Sequence, residues 1–257
     1  MIGRIAIVGA GLIGGSIELA LRERRSGLDV VTLDRGDDLG PAADADLIVL
    51  AAPVAENIRL LQALQTRLSP DTIVTDTGST KAAIVAAARG VRFVGGHPVA
   101  GAAAAGRAAA RAGLFDGRPW VLTPSPETPA GDVARVRALA EGLGGVVHLF
   151  DPDEHDRLFA LLSHLPQLVS SALMNVVGSG VGDAGLGLAG QGLRDTTRLA
   201  ASPPGIWRDI VQTNHANIAS SVDALIAALA SMRDDPTGES AASTLERAAR
   251  WKQALGD

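Results

Sequence analysis

The chain contains no cysteine among its 257 residues. This absence excludes disulfide bonds, thiolate metal sites and a cysteine nucleophile, and it is consistent with a reducing compartment. Positive charge is not in excess either, because the formal net charge is −5, so nucleic acid is not expected as a partner. No segment reaches the roughly 18 uninterrupted apolar residues of a membrane span. We therefore expect a cytoplasmic protein that binds neither a membrane nor nucleic acid.

The composition is that of a folded globular protein, with 47% hydrophobic and 20% charged residues. A chain of this length is accommodated more readily as two domains than as one. Its apolar beginning, residues 1–21, is interrupted by Arg4 and Glu18 and contains five glycines. A strand, a tight turn and a helix explain this segment better than a signal peptide or a membrane anchor.

The first half of the chain alternates short apolar runs with segments of helical character. This order is typical of a mostly parallel sheet covered by helices on both faces. The alanine-rich segments 82–88 and 102–110 are expected to be helices, because alanine is the best helix former. The apolar runs that predict strands are residues 4–8, 29–33, 47–51, 72–75, 92–94, 120–122 and 146–150.

The second half is predicted to be entirely helical. Asp151 is a candidate N-cap, with Pro152 at the first helical position and Glu154 three residues after the cap. Apolar residues then recur at helical spacing, with a kink expected at Pro166. Further helices are predicted over residues 207–230 and in a last segment that ends near Leu255, and residues 178–192 are predicted to be loose. The fold class is thus α/β, with a Rossmann-like domain over residues 1–150 and an all-helical domain over residues 151–257.

A glycine turn after the first strand points to a dinucleotide. Gly9, Gly11 and Gly14 stand in the order of the Rossmann fingerprint, with Leu12 and Ile13 between the last two. The first glycine permits a tight turn, the second lets a pyrophosphate approach the backbone, and the third lets the helix pack close to the strand. The amino end of that helix supplies N–H groups and partial positive charge. A glycine turn without a ligand is the alternative.

Asp34 supports the dinucleotide interpretation, because a carboxylate at the end of the second strand can bind the adenosine ribose. It also repels a 2′-phosphate, which favours NAD over NADP. Arg35 opposes this preference, since it could stack on adenine or pair with that phosphate. Ala52 and Pro53 end the next strand, at the edge where the nicotinamide half would bind. We therefore expect NAD as the cofactor and no metal.

Four further segments lie at ends of predicted strands or in the helical half. They are residues 76–81 (DTGSTK), 95–101 (GGHPVAG), 163–166 (SHLP) and 192–198 (GLRDTTR). With the glycine turn, this ordered set resembles the prephenate/arogenate dehydrogenase family. The resemblance runs from residue 4 to about residue 217. It implies NAD-dependent oxidative decarboxylation of prephenate or arogenate in tyrosine biosynthesis, by a homodimer formed through the helical domain.

The resemblance also implies roles for individual residues. His97 matches the catalytic histidine, which accepts the proton of the substrate hydroxyl while hydride leaves the same ring carbon. Ser79 matches a serine that bonds that hydroxyl, and capping the following helix is its alternative role. Arg198 matches the arginine that holds a substrate carboxylate, because its planar fork can make two parallel bonds.

Other family positions are less specific. Arg194, four residues before Arg198, is predicted to share its helix face. His164 also matches the family, although a core histidine is an alternative, and Trp207 is expected to serve packing. His148, His155 and His215 show no ligand-like spacing and receive no role.

The sequence departs from the family pattern at three places. Gln167 stands where many members have a second histidine near the substrate side chain, which leaves prephenate and arogenate both open. Ala102 and Ala103 replace a common Thr-Glu pair. The segment from Asp34 to Leu47 is too short for the usual helix and strand, so the adenine side is expected to be open. The short stretch after Asn214 suggests no regulatory or mutase domain.

Two alternative functions remain at this point. One is a β-hydroxyacid dehydrogenase or imine reductase, which shares a Rossmann domain followed by helices. Those enzymes generally use a lysine of the second domain, and residues 151–250 contain none. The other is a dinucleotide-binding sensor without catalysis, which Ala102 and Ala103 favour and the joint presence of Ser79, His97 and Arg198 disfavours.

Overall fold

The computed structural model describes residues 2–101 and 106–256. Within them, seven strands form one sheet in the order β2-β1-β3-β4-β5-β6-β7. All neighbouring strands are parallel except β5 and β6, which are antiparallel. The predicted mostly parallel sheet is confirmed. The strands are β1 (Arg4–Val8), β2 (Asp29–Leu33), β3 (Leu47–Leu50), β4 (Ile73–Asp76), β5 (Phe93–Pro98), β6 (Pro119–Thr123) and β7 (Val146–Leu149).

Helices fill the connections of the sheet and the remainder of the chain. Short 3-10 turns add Arg107–Ala109, Ala112–Phe115 and Arg198–Ala201, and one π-helical turn covers Ala160–His164. The α-helices are α1 (Leu12–Arg24), α2 (Gly40–Ala43), α3 (Val54–Leu64), α4 (Ala82–Ala87), α5 (Ala130–Gly142), α6 (Pro152–Phe159), α7 (Leu165–Leu186), α8 (Gln191–Thr196), α9 (Pro204–Thr213), α10 (His215–Asp234) and α11 (Glu239–Leu255).

The sheet has a core on each face. Successive side chains of a strand point to opposite faces, so Ile5 and Ile7 pack in one buried cluster while Ala6 and Val8 pack in the other. The first cluster includes side chains of α1 and α5, and the second includes side chains of α3 and α4. All four residues of β3 are buried. This is why its sequence, LIVL, is a continuous apolar run rather than an alternating one.

The chain packs as two compact units. The first comprises Met1–Phe159 and Ala201–Asn214, and the second comprises Ala160–Ala200 and His215–Asp257. Helices α6 and α9 therefore belong to the unit that contains the sheet, although they lie in the helical half of the sequence. The predicted division at residue 150 stays a prediction.

Two contacts attach α9 to the sheet unit. The carboxylate of Asp209 accepts the backbone N–H of Ala55 in the first turn of α3, at 3.2 and 3.1 Å. The hydroxyls of Thr213 and Thr80 are 2.7 Å apart. The middle and the end of α9 are thus held by residues that follow β3 and β4.

Three predicted elements differ in the structure. Residues 178–186 are helical, with a break only at Gly182, whose φ of 62° glycine tolerates. The helix predicted over residues 207–230 is divided at Asn214, whose side chain donates to the carbonyl of Asp156 at 2.8 Å. Of the alanine-rich segment, residues 102–105, including Ala102 and Ala103, lie outside the described residues. Arg107–Ala109 form only a 3-10 turn.

Among residues 2–101 and 106–256, one continuous helical stretch is long and apolar enough to cross a membrane by length and composition. It is Pro152–Leu186, and only 22% of its most apolar window is buried. The start of this stretch is polar, and Asp151 caps it by accepting the N–H groups of Asp153 and Glu154 at 2.9 and 3.3 Å. This cap was predicted, and it is confirmed.

Candidate active site

The glycine turn between β1 and α1 has the geometry that its sequence predicts. Gly9 has a φ of +113°, and a Cβ there would lie 2.6 Å from the carbonyl oxygen of Ala51. A Cβ on Gly14 would lie 1.9 Å from the carbonyl oxygen of Gly9, so the helix touches the turn. Gly11 differs, because a Cβ there would meet no described atom within 4 Å. The first and third glycines serve packing, and the second faces open space.

The amino end of α1 fits a pyrophosphate. Gly11 is its N-cap, no side chain in the described part of the chain caps its N–H groups, and its first turn contains no acidic residue. Leu12 and Ile13 are half-buried against the core, which fixes the position of this end. The N–H groups and the helix dipole together attract an anion.

The adenine side is a short turn after β2. Asp34 accepts the N–H of Arg35 at 2.8 Å, and its own N–H donates to Asp37 at 2.8 Å. Both Asp34 and Arg35 are exposed. The segment that precedes β3 contains only the four-residue α2. The side chains of this turn are therefore open to a ligand, as predicted for a shortened segment.

A buried asparagine that received no predicted role supports the end of β3. The N–H of Ala52 donates to the side-chain oxygen of Asn57 at 3.0 Å, and the side-chain nitrogen of Asn57 donates to the carbonyl of Leu50 at 3.2 Å. Asn57 is completely buried. It holds the strand end in place before Pro53, the N-cap of α3.

The DTGSTK segment contains a buried ion pair. The ammonium of Lys81 contacts the carboxylate of Asp76 and donates to the carbonyl of Gly96 at 2.7 Å. Asp76 also accepts the N–H groups of Gly78 and Gly96, at 2.7 and 3.0 Å. Burial lowers the pKa of Lys81, and the charge of Asp76 opposes this shift. The pair joins the end of β4 to the strand that holds His97.

Ser79 lies in the same segment and is half-buried. Its alternative role was to cap the next helix. However, α4 begins at Ala82, and Asp156 caps it by accepting the N–H groups of Lys81 and Ala82 at 2.7 and 3.0 Å. Asp156, rather than Ser79, therefore caps α4.

His97 lies near the end of β5 and contacts a second histidine. Its Nδ1 is 2.8 Å from Nε2 of His155, and Nδ1 of His155 is 2.8 Å from the carboxylate of Asp156. His97 is 8% exposed, whereas His155 and Asp156 are 0% and 1% exposed. The ring of Phe159 stacks on His155 and contacts the ring of His97, with centroid distances of 4.3 and 4.7 Å. Burial lowers the pKa of His155, and its hydrogen bond with Asp156 opposes this shift.

Sequence reasoning missed both His155 and Asp156. They lie 58 and 59 positions after His97 and form no motif with it. The only available signal was their place in the first turns of a capped helix that follows the last strand. It does not reveal which face of α6 packs against β5.

The predicted substrate-binding residues belong to the second unit. Arg198 is exposed and begins the 3-10 turn Arg198–Ala201, whereas the exposed Arg194 lies in α8. The prediction that both share one helix face is wrong, because α8 ends at Thr196. The hydroxyls of Thr196 and Thr197 bond back to the carbonyls of Gly192 and Leu193, at 2.8 and 2.7 Å.

His164 and Gln167 are both buried in that unit. The side-chain nitrogen of Gln167 donates to the carbonyl of Leu199 at 2.8 Å and to the hydroxyl of Ser171 at 3.2 Å. Gln167 therefore fixes the backbone next to Arg198. Trp207 lies in α9, in the first unit, and is half-buried.

Two family models cover most of the chain. The nucleotide-binding domain of prephenate dehydrogenase matches residues 10–149, and its dimerization domain matches residues 151–238. Prephenate dehydrogenase of Bacillus subtilis is 32% identical over 245 residues, which are 85% of this chain and 66% of that protein. Cyclohexadienyl dehydrogenase of Zymomonas mobilis is 32% identical over 255 residues, which are 89% of this chain and 87% of that protein.

A solved structure agrees with these matches. Prephenate dehydrogenase of A. aeolicus, in complex with hydroxyphenyl propionate and NAD⁺, has a TM-score of 0.90 and 28% identity. The alignment covers 100% of this chain and 99% of that one. With its glycine turn, its histidine at the end of β5 and both domains matched, this chain belongs to the prephenate dehydrogenase family.

Proposed function

We propose that the protein oxidises prephenate, arogenate or both, with transfer of hydride to NAD⁺ and loss of carbon dioxide. The observation that carries this proposal is the place of His97. It is a nearly buried imidazole near the carboxyl end of β5, held at Nδ1 by His155. The glycine turn follows β1 at the same edge, since β1 to β5 are parallel.

Each group of residues at this edge binds a different part of NAD⁺. Gly9, Gly11 and Gly14, with Leu12 and Ile13, form the pyrophosphate turn. Asp34 binds the adenosine ribose beside Arg35, and Ala52 and Pro53 border the nicotinamide half. The bound cofactor accepts the hydride. The negative charge of Asp34 disfavours a 2′-phosphate, which supports NAD over NADP.

The remaining residues act on the substrate. His97 accepts the proton of the ring hydroxyl as hydride leaves the same carbon, and Ser79 donates a hydrogen bond to that oxygen. When the bond between the ring and the carboxylate breaks, carbon dioxide leaves and the electron pair of that bond enters the ring. The ring becomes aromatic, and its oxygen takes back the proton from His97 to give a phenol, so no strong base or metal is needed. Arg198, with Arg194, binds a substrate carboxylate, and His164 and Gln167 border the substrate side chain. The hydroxyphenyl propionate bound by the A. aeolicus relative is a phenol, as is the product of the proposed reaction.

A direct assay tests this function. The protein is incubated with NAD⁺ and either prephenate or arogenate, and the absorbance of NADH is followed. We expect NADH with at least one substrate, and a His97→Asn variant should lose at least ~100-fold in kcat. NADH binding by His97→Asn is the control, and it should match that of the unaltered protein. Binding of NADH without turnover of either substrate would favour the sensor alternative instead.

We also infer that the chain is a cytoplasmic homodimer, assembled through residues 151–257. The second unit exposes large apolar side chains on three helices, among them Val176, Ile226, Leu245 and Trp251 at 72, 57, 69 and 77%. Monomers rarely expose such sets in water, and a subunit interface would cover them. The family name of the matched second domain supports this assembly.

A further inference from the structure

We propose that His155 and Asp156 act as positioning residues for His97, through a hydrogen-bonded chain that sets the tautomer of the base. This inference rests on the proposed role of His97 as proton acceptor. It adds two residues for which the sequence showed no function.

The direction of the hydrogen bonds that link His97, His155 and Asp156 follows from the carboxylate of Asp156. The carboxylate of Asp156 accepts three hydrogen bonds, from the N–H groups of Lys81 and Ala82 and from His155. A carboxylate that only accepts requires a proton on Nδ1 of His155. Since burial keeps His155 neutral by lowering its pKa, its Nε2 carries a lone pair. That lone pair accepts the Nδ1 proton of His97, at 2.8 Å.

The consequence for His97 is a defined tautomer. With its proton on Nδ1, its Nε2 is the atom that can accept a proton from a substrate hydroxyl. When it does so, the ring becomes an imidazolium whose Nδ1–H still donates to His155. The positive charge is then stabilised through His155 by the anionic Asp156. At this step the substrate proton moves to Nε2 of His97, and the other protons of the chain keep their places.

The surroundings make this chain rigid. Phe159 stacks on His155 with an angle of 18° between the rings, which fixes the plane of the imidazole. The backbone carbonyl of Asp156 accepts from the side chain of Asn214 at 2.8 Å. The other charges that act on His155 are those of Lys81, which lowers its pKa, and Asp76, which raises it. Lys81 pairs with Asp76 and also interacts with the charge of Asp156, so the two carboxylates share one cation.

Two substitutions of His155 separate the chain from simple packing. His155→Leu removes the acceptor for Nδ1 of His97, whereas His155→Gln keeps an acceptor oxygen near the position of Nε2. We expect His155→Leu to lower kcat by about 10- to 100-fold, within the range of general-base effects. KM and the dissociation constant of NADH should change little. On a logarithmic scale, the decrease in kcat should be smaller in His155→Gln than in His155→Leu by at least about a third. The reason is that the glutamine oxygen can hold the same tautomer of His97.

The pH profile of kcat/KM is the decisive measurement. Without an acceptor for its Nδ1–H, the protonated form of His97 is less stable. The acidic limb of the kcat/KM profile should therefore move to lower pH in His155→Leu, and the shift should be smaller in His155→Gln. Phe115→Leu is the control, because it removes a fully buried ring that packs against Trp120 rather than against His97 or His155. It should lower the melting temperature and leave the limb in place.

The outcomes separate this proposal from the proposed function. If the unaltered protein turns over neither substrate, the function is wrong. If it does, and His97→Asn is inactive while His155→Leu keeps the full kcat and the same limb, the positioning role is wrong. Should His155→Leu not fold, Asp156→Asn takes its place, because its amide oxygen can still accept the N–H groups of Lys81 and Ala82 while the negative charge is lost. A folded Asp156→Asn variant with the kcat and the acidic limb of the unaltered protein would contradict the positioning role.

Discussion

At the scale of single residues, the glycines of the β1–α1 turn have different functions that substitution can separate. Gly14 touches the carbonyl of Gly9, whereas Gly11 faces open space. We expect Gly14→Ala to lower the melting temperature, because its Cβ would lie 1.9 Å from a backbone oxygen. Gly11→Ala should keep the melting temperature and weaken NADH binding, because the methyl group occupies the approach of the pyrophosphate. Thermal melts and NADH titrations of both variants test this, and equal melting temperatures would contradict it.

His155 makes stability depend on pH in a defined window. An unfolded histidine has a pKa of about 6.5, and burial lowers the pKa of His155 in the folded state. Below about pH 6.5 the unfolded chain therefore binds more protons, so the free energy of unfolding should fall by up to about 1.4 kcal/mol per pH unit. Above this window the contribution is constant.

Urea unfolding at neutral and mildly acidic pH measures this dependence. His155→Gln should be less sensitive to acid than the unaltered protein over this window. Glu18 and Asp46 also have lowered pKa values, but carboxylates titrate at lower pH and remain in both proteins. An unchanged slope in the variant would mean that the pKa of His155 does not differ between the folded and unfolded states.

Residues whose roles depend on neighbours in sequence could be predicted, and those that depend on distant contacts could not. The functions of Gly9 and Gly14 follow from a local turn, and the cap at Asp151 follows from four consecutive residues. His155 acquires its partner only when α6 packs beside β5, and nothing in the local sequence specifies that contact. Asn57 is similar, since an amide within a helix indicates no contact with a strand end.

At the scale of elements, the Lys81–Asp76 pair joins β4 to β5. Removing one member leaves the other as a buried charge. We expect Lys81→Met to lower the free energy of unfolding by about 3–5 kcal/mol. Urea unfolding measures this, and Lys252→Met, at an exposed lysine, is the control, with an expected change within about 0.5 kcal/mol.

A second variant separates charge burial from lost packing. Lys81→Met combined with Asp76→Asn removes the unpaired charge and should recover part of the lost stability. No recovery would mean that the hydrogen bonds of Asp76 to Gly78 and Gly96 matter more than its charge.

Strands could be predicted more reliably than helix ends. Parallel strands covered on both faces are continuous apolar runs, as in β3, and all seven predicted runs overlap observed strands. Helix breaks depended on tertiary contacts instead. Asn214 ends one helix because its side chain bonds to Asp156, and Gly182 bends α7 without ending it.

At the scale of the whole molecule, the exposed apolar side chains of the second unit predict self-association. We expect the protein to be a dimer by size-exclusion chromatography with light scattering. The double variant Val176→Glu/Ile226→Glu should weaken this dimer, because buried unpaired carboxylates destabilise an interface. Leu19→Glu, at an exposed leucine of α1, is the control and should leave the dimer intact.

Membrane binding by the long apolar stretch Pro152–Leu186 is a second interpretation of these exposed side chains. If the unaltered protein is monomeric and binds lipid vesicles, the apolar stretch Pro152–Leu186 serves a membrane instead of a second subunit. A monomer that ignores vesicles would contradict both interpretations. The sequence composition alone could not separate these cases, because both require apolar helices of similar length.

The cap that Asp156 provides for α4 also limits how this protein can be cut and recombined. A fragment that stops where the last strand ends would keep the glycine turn, yet it would leave α4 uncapped and His97 without its hydrogen-bonded partner. Any chimera that grafts a foreign helical half onto this sheet must therefore retain the first two turns of α6. The nucleotide-binding half is in this respect not an interchangeable module, because the sheet edge that carries His97 is completed by residues encoded beyond it.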